Sequence, residues 1–490
     1  MAYTNFFAAI DLGSTHIVGI VGTRNANGLS ILAYEMEDSE NCIRRGSIYN
    51  VKETANKIKR LVLKLENKLN GSKIGKVYVG VGGQSIRSVN HKVSKVFADT
   101  SDVTDEAVDA LDKECFEFRP DLLSVLDVVS PTYYLDDKIE PNPVGVACKR
   151  IEACYKLIVG RPSIQQNINN SIKEQARIDV AGVLVSPLAL ADVVLNDNEK
   201  ELGCAMVNFG GGVTSVTIFK GGKLVDLCVI PLGSNLITKD IMDLNIVEKE
   251  AERIKINYAR ATVDRENDPT IMVEKPDGMG MKEIKQSELN QIVQARVNEI
   301  LENVYYRIEK SNVQLGAGIV LAGGGSSLKY LSDVIRDHTK KDVRFATIRN
   351  DVMEKGDVVA GNPIYLVAVG LLAQSVENCA AHIEGKPFEH ERKTIIDVAK
   401  AFAREGELKK EEPAPQVEIK QEKVEKPEKQ EPVVKPEKPV KEVKPEKSEK
   451  PEKKKSAHVF KRFIDNFGRT LFDDTEEKEE KEENNKEPKK

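Results

Sequence analysis

Cys204-Ala205-Met206-Val207-Asn208-Phe209-Gly210-Gly211-Gly212-Val213-Thr214-Ser215-Val216-Thr217-Ile218-Phe219 reads as a strand, a tight glycine turn and a second strand. Its counterpart opens the chain. Ala8-Ala9-Ile10-Asp11-Leu12-Gly13-Ser14-Thr15-His16-Ile17-Val18-Gly19-Ile20-Val21 has the same form, with small or hydroxylated residues at the tip. Such a turn lets backbone N–H groups close on an oxyanion, because glycine has no Cβ to hold it off. Taken singly, the first is equally a solvated hairpin with Asp11 as a turn residue. A third glycine turn, Ile319-Val320-Leu321-Ala322-Gly323-Gly324-Gly325-Ser326, ends another apolar strand. The ordered set of three implies two related halves that clamp a nucleotide between them.

The chain around these turns has 490 residues, too many for one compact core, and implies roughly two to four domains. Strand-like and helix-like runs alternate to about residue 382, which argues an α/β class. A net charge of −5 supplies no basic field for nucleic acid, and no nucleic-acid partner is expected. Seven scattered cysteines with no C-x-x-C pair suggest buried reduced thiols, and neither disulfides nor a zinc site. The N-terminus enters a strand without a signal-peptide pattern, and no apolar run approaches the roughly 20 residues that span a bilayer. A cytoplasmic protein is expected.

The first half is expected at 1–84 and 163–195, with an amphipathic helix over Val51–Leu69 and a strand at Lys76–Val81. Between them, 85–162 reads as an inserted α+β subdomain, its helix opened by Thr104-Asp105-Glu106. The second half is expected at 196–234 and 311–384, interrupted by 235–310. That interruption reads as mostly helical, with a turn near Asp277-Gly278-Met279-Gly280. From 385 to 455 the chain becomes a Lys/Glu/Pro linker, with Lys-Pro-Glu-Lys starting at 426, 435, 444 and 450. Proline bars regular helix and the charges build no core, so an extended disordered segment is expected. Residues 456–472 form an island with Val459, Phe460, Phe463, Ile464, Phe467, Leu471 and Phe472 at helical spacing, flanked by Lys461, Arg462 and Arg469. An acidic tail, 473–490, expected to be disordered, closes the chain.

The chemistry follows from the turns. Asp11 ends the first strand, where its carboxylate would hold a water of nucleotide-bound Mg²⁺; Gly13, Ser14 and Thr15 would offer donors to phosphate oxygens. Gly323-Gly324-Gly325 offers a flat surface to a purine, and a helix read at Leu328–Lys340 would add its positive end. No G-x-x-x-x-G-K-[ST] occurs, and no G-x-G-x-x-G opens a helix after the first strand. Glu252 and Lys255 share a helix face at i, i+3. They would either grip ribose and base or form an exposed ion pair.

This order of phosphate hairpin, second phosphate hairpin, Ala-Glu-x-x-Lys helix and Gly-Gly-Gly strand resembles the actin-like ATPase superfamily. Within it the chain is similar to the FtsA family of bacterial cell division. The resemblance spans roughly 6–382 and the C-terminal island. It is carried also by Pro143-Val144-Gly145, Arg150-Ile151-Glu152-Ala153, Asp197 to Gly203, Leu232-Gly233-Ser234 and Glu250 to Lys255. The fold it implies is a two-domain actin-like ATPase with an inserted α+β subdomain, a disordered linker and an amphipathic membrane helix. The resemblance implies ATP and Mg²⁺ as ligands. It implies contact from Asp11 (to metal, through water), Gly13, Ser14, Thr15 and His16 on the first hairpin, and Asn208, Gly210, Gly211, Gly212, Val213 and Thr214 on the second. Glu252, Lys255, Gly323, Gly324, Gly325 and Ser326 would hold the nucleoside. Three departures stand out: Asn208 replaces the usual Asp, Ser215 stands near where an acid is common, and His16 stands where a lysine or polar residue is more usual. Hydrolysis is therefore expected to be weak or absent. The resemblance also implies self-association into filaments, binding of the ring protein FtsZ through 235–310, and recruitment of later division proteins through the insert. Anionic lipid on the inner face of the cytoplasmic membrane would take the island, at the division site. The alternative is a small-molecule kinase of the same fold, which would need a carboxylate base and gains nothing from the tail.

Overall fold

The computed structural model describes residues 3–381, apart from 26–27, 267, 277, 354–358 and 360. The linker, island and acidic tail read from the sequence lie outside the described residues.

Two sheets repeat one strand order. The first runs Asp179–Val185, Lys76–Val81, Phe7–Leu12, His16–Asn25, Gly28–Asp38. The second repeats it with Val343–Phe345, Ile319–Ala322, Cys204–Phe209, Thr214–Lys220, Lys223–Ile230. In each, the glycine hairpin is antiparallel and the strand beside its first arm is parallel. The central arms are buried nearly throughout, as expected of strands covered on both faces. The register pairs Asp11 with Val18 in the first hairpin and Asn208 with Ser215 in the second. Asp11 and Asn208 thus hold equivalent places, each one residue before its strand ends.

Flanking helices follow from local sequence. Val51–Glu66 starts at Asn50, whose side chain accepts from Glu53 N at 3.0 Å, and buries Ala55, Ile58, Leu61, Val62 and Leu65. The helices Ser186–Val194 and Leu366–Gln374 cross between the halves. Leu366–Gln374 is apolar all round and fully buried at Ala368, Val369, Leu371 and Leu372. It packs on the first sheet, while Ser186–Val194 touches the Thr214–Lys220 strand of the second. The crossing depends on Gly370, where a Cβ would collide with the Ala189 carbonyl.

The insert has its own core of Val93, Leu111, Ile151, Tyr155 and Leu157 between three long strands (Arg87–Asp102, Ser124–Leu135, Ala147–Gly160) and the helix Asp105–Glu117. Thr104 caps that helix, its Oγ1 accepting from Ala107 N at 3.3 Å. Although it interrupts the first half, its sheet is stitched to the second. Cys228 pairs with Arg87, Val229 N donates to Ile86 O at 3.1 Å, and Leu227 N to Ser88 Oγ at 2.9 Å.

Two expectations are corrected. The 235–310 segment has three helices, Ser234–Met242, Glu248–Tyr258 and Gln286–Lys310, but the predicted turn joins two strands, Thr270–Glu274 and Met281–Lys285. Ile271, Val273 and Ile284 point inward while Met272 and Met281 face out, a period of two that the short runs concealed. The helix after the third glycine turn begins at Leu331, not Leu328. A 3-10 turn over Gly324–Ser327 and a left-handed Tyr330 (φ 65°) intervene, which removes the helix dipole from the glycine turn.

All seven cysteines are unpaired, six of them buried and Cys154 half-buried. Among the described residues no helix is long and apolar enough to cross a membrane. Gly370→Ala should destabilise the protein by about 1–3 kcal/mol, because the two crossing helices must separate or bend. Urea unfolding measures it; an unchanged midpoint would mean the crossing tolerates a methyl group.

Candidate functional site

Parallel strands deliver their C-terminal ends to one place, and here both sheets deliver them to the same cleft of about 450 Å³. Asp11, Gly13, Ser14, Thr15 and His16 line it from the first half. Asn208, Gly210, Gly211, Gly212 and Val213 line it from the second, with Glu252, Lys255, Gly323, Gly324 and Gly325. Two anticipated residues are placed otherwise. Thr214 is fully buried, its Oγ1 donating to Leu232 O at 2.8 Å; Ser326 donates from Oγ to Gly323 O at 2.7 Å. Neither side chain lines the cleft.

The hairpin tips touch. A Cβ on Gly211 would collide with Thr15 Oγ1, and one on Gly212 with the Ser14 side chain. Thr15 Oγ1 donates to Asn235 Oδ1 at 3.2 Å, and Ser14 Oγ accepts from Gly46 N at 2.8 Å. Asn235 is itself fixed to the second hairpin, its N–H donating to Gly211 O at 2.8 Å. His16 Nδ1 meets Asp38 Oδ1 at 3.0 Å.

Asp11 stands at the floor, accepting from Ser186 Oγ at 3.2 Å. Burial pushes its carboxyl up from 3.8 to about 6, against the lowering effect of that hydrogen bond. Across the cleft Asn208 carries no charge. Beside it, Ser215 Oγ is buried and has no hydrogen-bond partner in the structure. At the other end Lys255 and Glu252 form an ion pair at 2.6 Å, and Thr238 Oγ1 joins both, donating to Glu252 Oε2 and accepting from Lys255 Nζ at 2.8 Å. The two are an ion pair, though not an exposed one at Lys255, and both line the cleft. Gly323 needs its positive φ of 80°, and a Cβ there would strike Asn208 Oδ1 and Phe209 O. Gly324 is the reverse: its missing Cβ would meet nothing within 4 Å.

Sequence reading missed Gly82, Ser186, Pro187, Asn235 and the Asn362–Ile364 segment, all of which line the cleft. Gly82 and Ser186 directly follow parallel strands, so strand order would have found them. Nothing local marks Asn362–Ile364.

Paired halves of one strand order, closing hairpin to hairpin over a cleft, define an actin-like ATPase fold. A solved structure titled "PilM-PilN type IV pilus biogenesis complex" shares it, with a TM-score of 0.53 at 15% identity, over 76% of this chain and 98% of that one. The chain belongs to the FtsA family of cell division proteins. It is 34% identical over 382 residues to "Cell division protein FtsA" of Porphyromonas gingivalis, covering 77% of this chain and 80% of that relative. It is 28% identical over 408 residues to the Bacillus subtilis protein of the same description, covering 81% and 90%. The family model described as "Cell division protein FtsA" matches residues 205–370. The protein is therefore an actin-like protein of cell division.

Asp11 supplies a stability prediction. Its folded pKa lies above the ordinary value, so folding is favoured below pH 3.8 and loses that contribution as pH rises through about 6. At pH 7.5, Asp11→Asn should stabilise the ligand-free protein by about 1–3 kcal/mol, an advantage that shrinks toward pH 4. Urea midpoints at the two pH values test this; equal shifts at both would show that ionisation is not the cause.

Proposed function

We propose that the cleft binds ATP with Mg²⁺, hydrolysing it slowly or not at all, and that the protein polymerises and ties the FtsZ ring to the membrane. The observation that carries nucleotide binding is the convergence of two glycine hairpins and an open glycine surface on one cleft in an FtsA-family chain. The lining suits the ligand. Gly324 leaves room for a planar base, the hairpins bring backbone N–H groups to the phosphate end, and Ser215 Oγ is an unsatisfied polar atom. Bound Mg²⁺ would neutralise phosphate charge, and Asp11 would hold one of its waters. Glu252 and Lys255 would face ribose and base. A phosphate entering between the tips takes the place of the Thr15–Asn235 contact.

Slow hydrolysis follows from the side chains that remain. Asn208 is neutral, Glu252 is tied to Lys255, and His16 is tied to Asp38. None is an unengaged base beside the phosphate end. Asn208→Asp should therefore raise turnover several-fold; wild-type turnover already at about 1–100 s⁻¹ would defeat the proposal.

Gly323→Asp is a poor test of the adenosine surface, because strain and collision would disturb the strand end itself. Gly324→Asp places its carboxylate in open space and should abolish fluorescent-ATP binding while leaving circular dichroism unchanged. Unaltered affinity would mean the nucleoside lies elsewhere.

In this reading residues 235–310 engage FtsZ, the insert engages later division proteins, and residues 458–472 lie in an anionic membrane surface, with Lys461, Arg462 and Arg469 at lipid phosphates. Each helix binds reversibly and polymer formation adds avidity. FtsZ polymers should float with anionic liposomes only when the protein is present, and Phe463→Glu with Phe467→Glu should abolish this without changing ATP affinity. Flotation retained by the double variant would remove the island as anchor; flotation of this protein that leaves added FtsZ polymers behind would remove the tether.

A further inference from the structure

A short antiparallel pair of strands, Ile43–Arg44 and Ser47–Ile48, turns at Arg45-Gly46. Both turn residues have positive φ, 48° and 67°, the pattern of a type I′ turn. Such turns favour Asn-Gly, Asp-Gly or Gly-Gly, because these residues enter the left-handed region most readily. Gly46 fits that rule, and a Cβ there would strike Gly82 O. Arg45 does not. An arginine adopts this backbone only at a cost, and the turn itself gains nothing from the long charged side chain.

The turn is held against both glycine hairpins. Gly46 N donates to Ser14 Oγ at 2.8 Å. Just upstream, Ser39 donates from Oγ to Gly13 O at 2.6 Å and from N to Thr15 O at 2.9 Å. On the other side, a Cβ built on Gly212 would lie 3.2 Å from Arg45 N. Arg45 therefore stands where the two tips meet, and its neighbour Gly46 lines the cleft. Its side chain is exposed and pairs with no carboxylate among the described residues. Nη1 donates to Gln84 Oε1 at 3.4 Å, a long bond to a neutral amide. The tips otherwise lack an unengaged cation. Of the basic residues that line the cleft, His16 meets Asp38, Lys255 meets Glu252, and Lys329 donates to Asn257 O.

We propose that Arg45 binds the terminal phosphate of a nucleoside triphosphate: its guanidinium leaves Gln84, passes Gly46 and takes oxygens of the γ-phosphate at the meeting of the hairpin tips. The inference rests on the nucleotide reading of the cleft. A guanidinium presents a planar fork to phosphate oxygens and stays charged at every working pH. A diphosphate has no group at that position, so Arg45 makes the cleft prefer the triphosphate. The strained turn is then the means of aiming this one side chain, and the ligand-free protein bears its cost.

Arg45→Asn tests this in the full-length chain, since asparagine suits the left-handed turn and carries no charge. The non-hydrolysable imido analogue of ATP and ADP are titrated separately with Mg²⁺, and thermal midpoints are taken without ligand. Arg45→Asn should lose about ten- to hundredfold in affinity for the triphosphate, keep its ADP affinity within about twofold, and melt no lower than the wild type. Arg45→Lys, which keeps the charge without the fork, should bind the triphosphate more tightly than Arg45→Asn. An unchanged preference for triphosphate in Arg45→Asn would overturn the assignment while leaving nucleotide binding intact, and so would a lysine variant that binds no better than the asparagine one. Equal losses for both nucleotides with a lower melting point would also overturn it, by showing that the arginine serves the fold. A wild-type protein that binds neither nucleotide would overturn both this inference and the reading beneath it.

Discussion

The contact between the two hairpin tips is the constraint on which the molecule turns. Gly211 and Gly212 lie so close to Thr15 and Ser14 that no side chain fits between them. Each hairpin is rigidly part of its own sheet, so the separation of the tips sets the relation of the two halves. The Gly370–Ala189 crossing is the second support of the same relation, at the buried helices behind the cleft.

The insert enters that mechanics in a way its place in the chain conceals. It leaves the first half after Val81 and returns before Ser163, yet its sheet continues from the second half through Arg87, Ile86 and Ser88. Any rotation of one half against the other must either carry the insert with the second half or strain a junction of very few hydrogen bonds.

The two halves have one backbone plan and different electrostatics. Asp11 and Asn208 are equivalent in position, but only Asp11 carries charge, and burial raises its pKa to about 6. The second hairpin therefore offers an amide where the first offers a carboxylate, and the other carboxylate lining the cleft, Glu252, is joined to Lys255.

The three glycine turns, their apolar strands and the insert's helix were legible in the sequence, because turn chemistry and strand burial are local properties. So was the class of the fold, since two similar hairpins imply two similar halves, and so was the tie between Glu252 and Lys255 as i, i+3 neighbours. Tertiary structure decided the rest. The Thr270–Lys285 hairpin is short, and five-residue strands leave too little periodicity to outweigh helical neighbours. Tyr330 in a left-handed conformation delays the following helix, and such backbone choices depend on distant packing. Ser186 and Asn362 reach the cleft only through strand order and a returning chain, and Thr214 turns away from it because Leu232 O claims its hydroxyl. That Ser215 has no partner depends on every neighbour around it, which no local pattern encodes.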